Sequence, residues 1–116
     1  MRILSVASAT PPHRYEQDEL IAAFEATWVA QHHNVRRVAQ LHKAVQVGGR
    51  WLALPMERYL GLTFGEANKA FIEVGTDVAA MAVQAALDDA GLVPTDVDHV
   101  IFTSVTGIAA PSIDAR

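Results

Sequence analysis

Apolar positions along this chain follow two rhythms, one helical and one extended. Leu20, Phe24 and Trp28 recur every four residues with Ile21 beside them, which predicts a helix from about Gln17 to Ala30 with one apolar face. Asp18 and Glu19 fall in its first turn, where carboxylates suit the helix dipole. Asn34 can cap a second helix reaching about Val45. At about 100° per residue, Val35, Val38, Leu41, His42 and Val45 share one side, while Arg36, Arg37, Gln40 and Lys43 gather in an opposite arc of about 120°. The longest helical pattern runs from about Asn68 to Ala90 through Phe71, Val74, Val78, Met81, Ala85 and Ala86. Gly75 interrupts it, at up to about 1 kcal/mol relative to alanine. Gly91 stands just past its last turn, where helix ends favour glycine.

The extended rhythm occupies both ends of the chain. Arg2 to Ala9 predicts a short, largely buried strand, and "TPPHRYEQ" breaks it because Pro11 and Pro12 have no amide hydrogen to pair. After "VGG" ends the second helix, Arg50 to Leu54 predict a short extended piece stopped by Pro55; "MERYLGLTFGEANKA" predicts irregular chain or a short helix. "LVPTDVD" predicts a turn into His99 to Val105, a strand apolar on both faces. Such a strand belongs in the middle of a layered α/β sheet. The fold class is therefore α/β. Two or three strands and three helices do not close such a layer, so the pattern predicts part of a larger fold. A homo-oligomer or an intrinsically small α/β unit would also explain the pattern.

Composition narrows the chemistry. The 116 residues carry a formal charge of -4, which argues against general affinity for nucleic acid. No unbroken apolar run approaches the roughly 20 residues of a membrane span, and "MRILSVASATPP" lacks the apolar stretch of a signal peptide. The expectation is a cytoplasmic protein. With no cysteine, disulfides, thiolate metal sites and a cysteine nucleophile are all excluded from these residues.

The remaining candidates are few. Arg36, Arg37 and Lys43 could hold the phosphates of a nucleotide-like ligand, or could form a solvated helix face. His32 and His33 are adjacent and diverge on a helix, His42 sits on the apolar arc, and no HxxxH or HExxH spacing occurs, so no metal site is expected. Asp88 with Asp89 and Asp96 with Asp98 read as surface charge. Thr103, Ser104 and Thr106 end the last strand, where α/β sheets place their chemistry, but the pattern offers them no base. Catalytic residues: none.

The order of segments nevertheless resembles a known family. "ILSVASATPPHRYEQDEL", "GGRWLALPMERY" and "AFIEVGTDVAAMAVQAALDDAGLVPTDVDHVI", followed by "FTSVTGIAAPSID", are similar in order and spacing to the opening portion of type III polyketide synthases, the chalcone synthase-like branch of the thiolase superfamily. The resemblance covers the whole chain but only the first third of a normal member. It implies the N-terminal part of a thiolase-like α/β/α/β/α layered fold, incomplete in this chain, from a homodimeric acyltransferase. Members load an acyl-CoA starter onto a cysteine and extend it with malonyl-CoA by decarboxylative condensation. They need no cofactor beyond CoA thioesters as substrates.

The resemblance also implies roles at particular positions. The family's cysteine lies a few tens of residues beyond "TGIAAP", with a histidine and an asparagine further along, so none of the three is expected within 116 residues. Arg37 and Lys43 fall where members bind CoA phosphates, although Gln40 and Ala44 stand where some members are basic. Val105 and Thr106 match pocket-lining positions. Ala110 matches the residue that crosses the dimer into the partner's cavity; plant members carry a larger side chain there, so Ala110 implies a roomier or differently shaped site. Two other readings stay open: a non-catalytic CoA-binding or partner-pairing half-domain, and a fragment of a ketoacyl-ACP synthase III-like enzyme.

Overall fold

In a computed structural model the described residues are 2–28 and 35–116. The expected cap Asn34, the pair His32 and His33, and the last two residues of the first expected helix lie outside them, as do the side chains of Trp28, Val35, Arg36 and Val38. The chain divides into two compact units, Pro12–Gly61 and Met1–Pro11 with Leu62–Arg116.

The Pro12–Gly61 unit is a small sheet with two helices. His13–Glu16 (β1) pairs antiparallel with Gly49–Leu52 (β2), in the register His13 to Leu52 and Glu16 to Gly49. The first strand corrects the expectation of a break: "HRYE" has no apolar alternation, and its pairing with partners 33 to 39 residues away supplies what the local pattern lacks. Pro11 and Pro12 favour extended geometry ahead of it. Gln17–Trp28 (α1) follows at once; the Glu19 carboxylate accepts the Glu16 amide at 2.7 Å, one half of a capping box. Leu20 and Ile21 are buried, and Gln17 is buried with them.

Val35–Ala44 (α2) meets α1 through a tilted contact between the Phe24 and His42 rings, 5.3 Å between centroids. The expected apolar arc is only partly covered: Leu41 and Val45 are exposed in the structure. A short 3₁₀ turn, Met56–Tyr59, closes this unit, and the Met56 amide donates to the Tyr15 hydroxyl at 3.0 Å.

The other unit is built on one long helix, Phe64–Ala90 (α3). It starts four residues before the expected Asn68, because Thr63 and Glu66 form a reciprocal capping box. It ends as expected at Gly91, which takes φ +67 with its amide bonded back to Asp88. The covered side is rotated from the expected face. Met81 and Ala85 are exposed, whereas Leu87 is buried. By length and composition α3 would suffice to cross a membrane, a property that an unbroken apolar run does not detect; Glu73 and Asp77 lie within it.

The two expected outer strands form no ladder among the described residues. The opening segment lies along α3, with the Ser5 hydroxyl donating to the Ala86 carbonyl at 2.7 Å. Residues 99–105 are unpaired, and Ile101 is 95% exposed. A strand exists only as a member of a ladder, and no described residue lies alongside these two as a partner.

Candidate functional site

Each unit presents one feature that bears on chemistry. In the Pro12–Gly61 unit, α1, α2, β2 and the 3₁₀ turn enclose a cleft of about 650 Å³. Leu20, Phe24, Leu52 and Leu60 make its walls apolar, while His42 and Arg50 add polar groups. The Gln17 side-chain nitrogen lies 2.9 Å from Nδ1 of His42 and donates to the His42 carbonyl at 3.3 Å; Gln17 Oε1 is buried without a partner. The dimensions suit an organic group of acyl size. Thr27, Glu57 and Tyr59 also line the cleft, and the Thr27 hydroxyl donates to the Ala23 carbonyl at 2.7 Å. Sequence reasoning missed this cleft because Arg50, Tyr59 and Phe24 come together only through β-pairing and helix contact.

Arg37 and Lys43 lie on α2 and are exposed. Six positions apart, they diverge by about 120° around the helix axis. Among the described residues no three His, Cys, Asp or Glu side chains cluster as a metal site.

The other unit carries Val105, Thr106 and Ala110 on a single exposed loop. Sequence reasoning missed what holds it. Asn68, in the second turn of α3, makes two bonds to one residue of the loop: its Nδ2 donates to the Ile108 carbonyl, and its Oδ1 accepts the Ile108 amide, each at 2.8 Å. One turn along, the Phe71 ring lies against Gly107. A β-carbon at Gly107 would sit 2.3 Å from Phe71 Cδ1, so only glycine fits this contact. Beyond the loop, Ile113 is buried and its 3₁₀ turn, Ile113–Ala115, packs on α3. The one signal in the sequence was a polar residue, Asn68, in line with Phe71 and Ile72 at the start of an apolar helix.

No family model matches the chain. Curated relatives do. The chain is 43% identical over 98% of its length to a 1,3,6,8-tetrahydroxynaphthalene synthase of Streptomyces peucetius, covering 30% of that protein. It is 31% identical over 98% of its length to a Bacillus subtilis protein named after chalcone synthase, covering 33% of it. An acylalkylpyrone synthase of Aspergillus oryzae is 24% identical over 97% of the chain and covered to 30%. The chain thus spans about a third of the length of the curated relatives it matches.

Proposed function

From this kinship with type III polyketide synthases, we propose that the 116 residues are the N-terminal portion of an enzyme that condenses malonyl units onto an acyl-CoA starter. The observation that carries the reading is the 43% identity maintained across 98% of the chain. On it, the parent is a cytoplasmic homodimer of thiolase-like α/β/α/β/α architecture, and α3 is a layer helix of that fold. The exposed apolar residues of the 2–10 and 99–105 segments support it, since both need strands and helices to cover them. The product class follows the first relative: a polyhydroxylated naphthalene.

The chemistry divides between what these residues hold and what they lack. In each condensation the malonyl thioester loses carbon dioxide, and the resulting carbanion attacks the acyl thioester carbonyl, displacing a thiolate. The acyl group must first be carried on an activated nucleophile, and these residues include no cysteine. Their contribution is binding and shaping: Arg37 and Lys43 hold CoA phosphates, while Val105, Thr106 and Ala110 line the cavity in which the polyketide grows.

The test is to read the coding sequence beyond Arg116 and assay the longer protein with malonyl-CoA by mass spectrometry. Release of carbon dioxide and an aromatic product are expected, with neither from the 116-residue chain. A stop codon after Arg116 would sink the reading in favour of a chain that pairs with a partner. In the active protein, Arg37→Glu and Lys43→Glu should each raise KM for malonyl-CoA about tenfold, since a charge-assisted bond is worth about 1.5–3 kcal/mol. Affinity unchanged across salt concentrations would remove these two residues from the CoA site.

A further inference from the structure

We infer that Asn68 is a positioning residue for the cavity, acting through the main chain of Ile108 to fix the loop that carries Val105, Thr106 and Ala110. The inference rests on the polyketide synthase reading for what that loop does, but its geometry stands on the structure alone.

The arrangement is specific in three respects. First, both bonds go to the amide and carbonyl of the same residue, at 2.8 Å each. That is the pattern a residue on a neighbouring antiparallel strand would make, here supplied by one carboxamide. It constrains the direction of the loop backbone as well as its distance from α3. Second, Phe71 abuts Gly107, the residue immediately before Ile108, so the loop rests on a ring as well as hanging from an amide. Third, the side chains of Val105, Thr106 and Ile108 are exposed, so they do not hold the loop themselves. The next buried anchor along the chain is Ile113. Between Phe71 and Ile113 the clamp by Asn68 ties the pocket-lining positions to α3, while within the loop the Thr106 amide donates to the Ser104 hydroxyl at 3.1 Å. Ile108 is two residues from both Thr106 and Ala110, close enough that a shift in its backbone moves both.

Each bond is partly open to water and modest by itself, but an amide that loses its partner exchanges freely. Two variants separate orientation from mere presence of a polar group. Asn68→Ala removes both bonds. Asn68→Asp keeps an acceptor for the Ile108 amide and sets a carboxylate oxygen against the Ile108 carbonyl.

The experiment has two arms. In the 116-residue chain, hydrogen exchange of the Ile108 amide followed by NMR should accelerate at least tenfold in Asn68→Ala and much less in Asn68→Asp. In the longer condensing protein, Asn68→Ala should change the product chain-length distribution and raise KM for the starter thioester severalfold. Decarboxylation of malonyl-CoA should keep its kcat, and Asn68→Asp should restore part of the distribution. Unchanged exchange in Asn68→Ala would overturn the clamp whatever the protein does. Faster exchange with an unchanged product distribution and KM would overturn the positioning role while leaving the polyketide synthase reading intact. A wild-type longer protein that does not condense malonyl-CoA would overturn both that reading and the role inferred from it, with the exchange arm still reporting the bonds.

Discussion

Ile101→Asp is expected to leave the stability of the 116-residue chain within about 0.5 kcal/mol of the original. The same change should abolish soluble expression of the protein at the full length of its relatives. In the structure Ile101 is 95% exposed, so a carboxylate there remains in water. In the proposed parent, residues 99–105 form a central strand with layers on both faces. Replacing isoleucine there removes about 2–5 kcal/mol of core packing and strands a charge that no partner satisfies. The sum rivals the whole stability of an ordinary domain, about 5–15 kcal/mol. Thermal unfolding of the short chain and soluble yield of the long one read the two halves of the expectation. Equal tolerance in both would mean that this segment is surface in either context, and the layered architecture proposed for the parent would fail.

Gly107→Ala carries the second largest effect. A β-carbon at this position meets Phe71 Cδ1 at 2.3 Å, Cγ at 2.5 Å and Cε1 at 2.9 Å, all closer than the 3.0 Å inside which real β-carbons essentially never approach another heavy atom. The ring is anchored on α3 and cannot yield as the end of a flexible side chain could. Either it leaves its rotamer or the loop lifts away and breaks the Asn68 bonds. Overpacking of this kind costs about 1–3 kcal/mol. The Phe71→Ala background removes the obstruction, so Gly107→Ala should be close to neutral there, and the cycle should show coupling of about 1–3 kcal/mol. Unfolding midpoints of the two single variants and the double variant measure it. An equal cost of Gly107→Ala in both backgrounds would mean that the ring is not what excludes a side chain.

These two positions show where local patterns stop being informative. Ile101 was readable as a strand residue from its apolar neighbours, yet a strand needs a neighbouring strand, and none of the described residues provides one. Gly107 was readable as a turn residue, but the reason it must be glycine is an aromatic ring 36 residues earlier in the chain. The phosphate-binding expectation for Arg37 and Lys43 came from the basic arc of the helix and was sharpened by family position; the structure adds that both are exposed on α2.

Helices α1, α2 and α3 and the stop at Gly91 were foreseeable from the chain alone, because helical bonds and caps join residues only a few positions apart, and side-chain spacing reports them directly. The absence of cysteine, and with it of a thiolate nucleophile, needed only a count of residues. The pairing of His13–Glu16 with Gly49–Leu52 had no such local signature, nor did the rotation of the covered face of α3 that buries Leu87. The cleft beside His42 and the clamp of Asn68 on Ile108 belong to the same group. Each depends on groups brought together from tens of residues apart, and packing, not periodicity, selects which of them meet.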